Sequence, residues 1–384
     1  MASVHHRIVI VGAGLGGLIT ARVLHRHGID AVVYDLDASP ADRAPRGMLD
    51  VHVESGQAAL HAAGLSEQFR ALIHPGGDAL RVLDRHAGIH YDVPDAGGDR
   101  PEVSRRALRA LLLESLPEAT VRWGAAVTDA IPLGGGRHAL TVTGGDTVTS
   151  DLLIGADGAW SRIRPLLSDA TPAYTGLSYV ECSLSDAEGR HRPAAAVLGT
   201  GLTIALGEEK GLFAHRDPDG SLHVYAALKT PPQWARTVDP AALRDQLLGR
   251  FTGWHPALRA LIGDADGPLL PRPIHALPIG HRWPRVPGVT LLGDAAHVMS
   301  PFTAEGANLA MLDGAELAAA LVGNPGDRQA ALTAYEELLF PRSEAAAAEA
   351  AANLAVCFRS DAPQGLLDLM ASYAELGYQP AGAG

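Results

Sequence analysis

Three glycines, Gly12, Gly14 and Gly17, stand in G-x-G-x-x-G spacing, and an acid, Asp35, follows roughly 20 residues on. Those residue types at that spacing suit a dinucleotide phosphate. Gly12 allows a tight strand-to-helix turn, Gly14 lets a pyrophosphate approach the backbone, and Gly17 lets helix and strand lie close. The N-terminus of the helix that follows stabilises phosphate charge, and the acid accepts from a ribose hydroxyl. Two further motifs carry an acid beside a glycine. One is Asp157-Gly158-Ala159-Trp160-Ser161-Arg162-Ile163-Arg164; the other is Gly293-Asp294-Ala295-Ala296-His297, with Pro301, Gly306 and Asn308 beyond it. The 17 histidines show no ligand spacing such as HxxxH, so no metal site is expected.

Strands and helices must hold these motifs. Residues 8–11 form an apolar run that reads as a buried parallel strand, residues 18–27 repeat apolar positions at helical spacing with Gly28 as the stop, and residues 31–34 read as a second strand ending on Asp35. A G-x-G-x-x-G alone is weak; here strand, helix, strand and acid are in register. A polar loop covers 38–46, and helices are predicted over 54–65 and 67–73. Two strand-like runs within 79–93 predict a hairpin inserted into the first domain. Residues 104–116 predict an amphipathic helix with Ser104 as N-cap. Strands are expected at 121–123, 127–131, 138–142 and 151–156, the last leading into Asp157. Short alternating runs at 177–184, 195–198, 202–206, 211–214 and 222–228 predict an antiparallel sheet with one covered face. Beyond it, a helix is expected over 240–248, a strand at 289–292, and helices over 305–322, 328–340 and 343–356.

A chain of 384 residues with 47% hydrophobic content and alternating strand and helix signals predicts a globular α/β protein of two domains. The formal charge of −12 argues against nucleic acid or an anionic membrane as partner. No apolar run reaches transmembrane length, and the first strand starts almost at once, which leaves no room for a signal peptide. Cys182 and Cys357 lie far apart with no CxxC, an arrangement expected of free thiols in a reducing compartment, hence a cytoplasmic protein.

The three motifs, in this order and over nearly the whole length, resemble the class A flavoprotein monooxygenases of the p-hydroxybenzoate hydroxylase fold. The resemblance implies a Rossmann-like FAD-binding domain, an inserted and mainly antiparallel substrate sheet, and a C-terminal helix. On that pattern 1–78, 101–170 and 274–322 build the FAD domain, 79–100 and 171–273 the substrate domain, and 323–384 a C-terminal helical region. Gly12, Gly14 and Gly17 match the family's phosphate loop; Asp157, Gly158, Ser161 and Arg164 its D-G motif; Gly293, Asp294, His297 and Pro301 its G-D motif. Asp294 is implied to bond the flavin ribityl chain, and the helix opening near Gly306, Ala307 and Asn308 to aim backbone N–H groups at the flavin pyrimidine end. Asp35 stands where the family usually has Glu, and Leu36 replaces the arginine that follows it. Arg105 matches a flavin-contacting arginine, with Arg109 one turn on. No second G-x-G-x-x-G unit exists, so no separate nicotinamide domain is expected. Arg164 inherits transient contact with NADPH (or NADH), set against pairing with Asp157 or capping its turn.

The implied reaction inserts one oxygen atom from O2 into an aromatic or polycyclic substrate through a flavin C4a-hydroperoxide, in a monomer. A reductase or oxidase without oxygen insertion, and a non-catalytic flavin- or ligand-binding protein, share the same motifs. GMLDVHVESGQAALHAAGL, LKTPPQWA and PFTAEGANLAMLDGAELA most resemble the tetracycline-inactivating subgroup. Within it, a glycine and a glutamine have become Ala304 and Glu305. The subgroup's polar substrate contacts fall on Glu181, Leu202 and His223, beside Phe302; an amide has become an acid and an arginine a leucine, and Arg is not replaceable at a bidentate contact.

Overall fold

The computed structural model describes residues 4–42, 47–95 and 97–375. The strand Val4–Val11 pairs in parallel with Val32–Tyr34 on one side and with Thr147–Gly155 on the other. Thr147–Gly155 in turn meets Val289–Leu291 in parallel at its C-terminal end and Arg137–Val142 antiparallel at its start. Val121–Arg122 and Val127–Gly134 complete a seven-stranded sheet. Its central residues, among them Val9, Ile10, Leu152, Leu153 and Val289, are fully buried, as strands covered on both faces must be.

The helix Leu15–Arg26 crosses the helix Glu305–Gly323 with backbones in contact. A Cβ at Gly16 would lie 2.4 Å from the Ala310 carbonyl oxygen, and one at Gly314 2.4 Å from that of Gly16. This crossing carries the end of Glu305–Gly323 to the glycine loop.

A second seven-stranded sheet runs in the order Asp266–Ala276, Ala173–Leu184, Leu222–Lys229, Lys210–Arg216, Leu202–Gly207, Leu80–Asp84, Ile89–Val93. The expected hairpin is therefore its edge, joined by a parallel pairing of Leu80–Asp84 with Leu202–Gly207. A ribbon of Met48–Asp50 with Glu102–Ser104 links the two sheets.

Several expectations change. Both faces of the second sheet are covered. Val180, Cys182, Ala214, Val224 and Ala226 pack beneath the helices Leu243–Arg250 and Pro256–Gly263. Tyr179, Ile204 and Phe213 meet Phe302, Phe358, Leu366 and Met370 on the front. Residues 195–198, read as a strand, fall at the end of the helix Arg192–Val197, where Pro193 sits in the first turn. Helices expected at 328–340 and 343–356 form one helix, Arg328–Cys357, which carries Pro341 inside it. Ion pairs from Arg342 to Asp313 and Glu316 hold that segment in place. The helix expected over 54–65 opens as a π-helical turn, Val53–Gln57, and continues as Ala58–Ala62. There a Cβ at Gly56 would lie 2.3 Å from Asn308 Oδ1. The strand Asp266–Ala276 went unread because of Pro268, Pro271 and Pro273; an edge position tolerates their missing N–H groups. It also extends beyond the 273 boundary. Residues 43–46 of the polar loop lie outside the described residues.

Among the described residues, no helix is long and apolar enough to cross a membrane, and no His/Cys/Asp/Glu group could hold a metal. Cys182 and Cys357 are free and buried.

Candidate active site

Three loops at the C-terminal ends of the parallel strands build one side of the site. Gly12 takes φ +109°, and a Cβ there would lie 2.2 Å from the Ala156 carbonyl oxygen, so this turn admits only glycine. A Cβ at Gly17 would lie 2.1 Å from the Gly12 carbonyl oxygen. Gly14 differs: among the described residues no heavy atom lies within 4 Å of its added Cβ, which leaves open space at the start of Leu15–Arg26. Asp35 is buried beside this loop, accepting from Ala13 N at 2.5 Å and Asp37 N at 2.8 Å. Arg109 reaches the same loop from behind. Its guanidinium donates to Ala13 O (3.2 Å), Pro40 O (2.9 Å) and Asp37 Oδ2 (3.3 Å), and lies 5.4 Å from the centre of the Trp123 ring. The structure thus uses Arg109 to strap the phosphate loop.

In the second loop, Asp157 accepts from Ser161 Oγ and Arg162 N, both at 2.6 Å. Burial raises its carboxyl pKa against those bonds. Arg164 is 4% exposed and donates to Ala170 O (3.0 Å), Ala295 O (3.0 Å) and Ala159 O (2.7 Å). The expected contact with nicotinamide phosphates does not fit that placement. Arg164 ties the D-G loop to the G-D loop, while Arg162 is the exposed arginine of the motif.

In the third loop, Gly293 adopts φ 57°, ψ −142°, a conformation reserved for glycine. Its N–H donates to Asp313 Oδ2 at 3.0 Å, and His297 Nε2 lies 2.6 Å from the same oxygen. Arg342 donates to the other Asp313 oxygen at 2.9 Å and grips Glu316 at 2.9 and 2.7 Å. Burial opposes charge on His297 and on Asp313, but their mutual attraction wins, raising the imidazole pKa and lowering the carboxyl. Asp294 begins the next short helix. Its side chain is exposed, and among the described residues no hydrogen bond holds its carboxylate. The surrounding protein raises its pKa, with the charges of His297 and Arg105 pulling it down. Arg105 donates to Met48 O at 3.0 Å.

Pro301 is half-buried, and Ala304, at φ 56°, caps the helix Glu305–Gly323 from the left-handed region where the resemblance places glycine. Gly306 has no heavy atom within 4 Å of an added Cβ among the described residues, and Ala307 beside it is half-buried. Asn308 is fully buried, donating to Asp50 O (2.9 Å) and Ala304 O (3.1 Å) and accepting from His52 N (3.1 Å). It positions the helix end through its side chain. Open space at Gly14, Gly158 and Gly306, together with the unbonded carboxylate of Asp294, fits a flavin dinucleotide.

The front face of the second sheet stands opposite. His215 and Ser183 flank His223 across the strands, and Phe213 and Glu181 flank Tyr225 in the neighbouring row. Glu181 is half-buried, with Oε2 3.2 Å from Arg272 Nε and Oε1 3.8 Å from His223 Nε2. His223 is buried edge-on to Tyr225, ring centres 4.7 Å apart. Leu202 is buried at the start of its strand, lining an open groove of about 600 Å³ with Leu80, Arg81 and Arg216. Phe302, 1% exposed, is packed among Tyr179, Phe213 and Phe358 with ring centres 5.6–6.1 Å away, so it buttresses the sheet. Sequence reasoning missed the clamp of Asp313 and Arg342, and a buried pair in which His215 Nδ1 lies 3.3 Å from Glu102 Oε1. The alternation of His215 with Phe213 was the one available signal for that histidine.

The chain matches the family model described as FAD binding domain over residues 5–181 and 256–350. Monooxygenase asqM of Emericella nidulans is 30% identical over 437 residues, covering 95% of this chain and 98% of the relative. The crystal structure of a single-residue variant of Klebsiella pneumoniae HpxO complexed with FAD superposes with a TM-score of 0.80 at 25% identity, covering 97% of this chain and 94% of that one. Tetracycline destructase Tet(55) shares the fold, with a TM-score of 0.76 at 19% identity over 97% of this chain and 95% of that one. The chain belongs to the FAD-binding-domain family and is a class A FAD-dependent monooxygenase.

Proposed function

We propose that this monooxygenase inserts one oxygen atom of O2 into an aromatic or polycyclic substrate related in shape to tetracycline, with NADPH (or NADH) as electron source. The turn at Gly14 would hold the FAD pyrophosphate, Asp294 its ribityl chain, and the first amides of Glu305–Gly323 its pyrimidine end. Bound flavin supplies the two-electron and oxygen chemistry. The chain binds, orients and excludes water. Free N–H groups at the helix start and the Arg105 guanidinium favour negative charge on the ring. Arg162, exposed on the D-G loop, takes the nicotinamide phosphate role that Arg164 is placed too deep to play. Substrate meets the front face, where Glu181 offers an acceptor between Arg272 and His223. That acceptor, standing where the tetracycline-inactivating pattern has an amide, supports a substrate that donates a phenolic or amide hydrogen there. Free buried cysteines and the formal charge of −12 support a cytoplasmic protein without nucleic-acid or membrane partners, and the family resemblance supports a monomer.

The observation that carries this reading is the Asp294 carboxylate, exposed and without a hydrogen bond among the described residues, in the loop that follows the parallel strand Val289–Leu291. Replacing it with alanine weakens FAD binding by about tenfold to a hundredfold, the worth of a charged hydrogen bond. Titration of the apoprotein with FAD measures this, and unchanged affinity refutes the ribityl role. For the reaction, NADPH oxidation and oxygen uptake are followed with tetracycline and a panel of aromatic polyketides. The expected product is heavier by one oxygen atom. Substrate reduction or oxidation without that gain makes the protein a reductase or oxidase.

A further inference from the structure

His52 follows the ribbon strand Met48–Asp50 and is 1% exposed. Its Nε2 lies 2.8 Å from Asp50 Oδ2, and its Nδ1 lies 3.0 Å from Glu305 Oε1. A neutral imidazole has one N–H and can donate to only one of these carboxylates. Both contacts are hydrogen bonds only if the group holds one further proton, giving two carboxylates and one imidazolium a net charge of minus one. Burial works against charge on the ring, but its hydrogen bonds to Asp50 and Glu305 outweigh that and lift its pKa to about 9.

The position of this proton matters. Glu305 is the first residue of Glu305–Gly323, the helix whose start opens beside Gly306 onto the flavin space. Asn308, on the same turn, bonds both Asp50 O and His52 N, so the ribbon and the helix end are locked together around the imidazole. The resemblance places a neutral glutamine at 305. A carboxylate there is favoured by the helix dipole but adds a negative charge at the end meant to receive charge from the reduced ring. Asp50 is faced in turn by Asp78 and, through Glu102, by His215.

We propose that Asp50, His52 and Glu305 are a charge-balancing triad for the flavin: His52 holds the proton that offsets Glu305, and so sets how tightly the reduced, anionic cofactor is held relative to the oxidised one. His52 acts through Glu305 and is a positioning residue. The proposal rests on FAD lying at this helix end.

The test uses the FAD-loaded protein and its Glu305→Gln and His52→Gln variants, with flavin occupancy read by absorbance and midpoint potential by dye equilibration from about pH 6 to about pH 10. Glu305→Gln removes a negative charge, so reduced flavin is held about tenfold more tightly relative to oxidised, a rise of about 30 mV for a two-electron couple. His52→Gln shifts the ratio the other way and removes the inflection that the wild type shows near the histidine value. Independently of flavin, the His52 ring nitrogens in the apoprotein titrate far above an ordinary histidine, and Glu305→Gln brings that value down. Variants that keep wild-type potential and pH profile, with His52 titrating normally, overturn the triad. Full flavin occupancy in Gly14→Ala and Asp294→Ala instead overturns the placement of FAD on which it rests.

Discussion

The two seven-stranded sheets build their halves of the site by opposite means. In the parallel sheet the contacts come from backbone: a turn at Gly12 pressed against Ala156, a glycine-only conformation at Gly293, an open glycine at Gly14. In the antiparallel sheet they come from side chains that alternate off a continuous ladder, Glu181 and His223 forward, Val180 and Val224 back. A site made of backbone dictates its residues one by one. A face made of side chains can be rewritten without moving a strand. The glycine-loop half is therefore held to a family pattern, whereas the front face departs from the tetracycline-inactivating pattern at Glu181 and Leu202.

The sharpest test of that contrast lies within the glycine loop. Gly12→Ala combines a positive φ with a contact against backbone and costs about 3 kcal/mol or more. Gly14→Ala meets open space, changes stability by less than about 0.5 kcal/mol, and still lowers FAD affinity at least about tenfold. Urea unfolding of the apoproteins separates them; equal losses of stability erase the distinction between a turn glycine and a ligand glycine. Next in size is Arg342→Met, which leaves buried Asp313 with His297 as its one charged partner among the described residues, beside the Gly293 N–H, and costs about 3 kcal/mol by thermal unfolding. The same network has a pH signature. Asp313, with its pKa lowered, contributes stability above about 3.9 that is lost as pH falls; His297, with its pKa raised, contributes below about 6.5 what is lost as pH rises through its folded value. The clamp is thus strongest between those two values, and Arg342→Met narrows the stability maximum there. On the side-chain half, Glu181→Gln leaves stability within about 0.5 kcal/mol while redistributing kcat/KM among substrates. A large loss of stability shows the front face to be as constrained as the glycine loops. Smallest is Ala304→Gly, which relieves a left-handed alanine and stabilises the apoprotein by about 0.5–1 kcal/mol in urea.

The same contrast explains what could be read from residues alone. Gly12, Gly158 and Gly293, all at positive φ, announce their loops because backbone geometry restricts residue type. The hairpin within 79–93 was readable from alternation, although its parallel partner Leu202–Gly207 lies far along the chain. Arg109 and Arg164 were not readable, since a guanidinium serves equally as a strap for carbonyls and as a phosphate ligand; burial decides, and burial is a tertiary fact. Phe302 reads as a pocket residue by register yet packs into an aromatic cluster. Prolines hid the strand Asp266–Ala276 and divided the helix Arg328–Cys357, because local propensity yields to an edge position and to ion pairs from another helix.

The parallel pairing of Leu80–Asp84 with Leu202–Gly207 also governs how the protein can be made. During synthesis the hairpin leaves the ribosome long before its partner strand and waits with one ladder edge unsatisfied. The second sheet closes only when the chain beyond residue 202 has emerged. Conversely, residues 173–276 produced alone would present the naked edge of Leu202–Gly207, a template for association with other chains. Residues 173–276 cannot be cut out without exposing that edge, and an exchange of this sheet between relatives must carry the hairpin along.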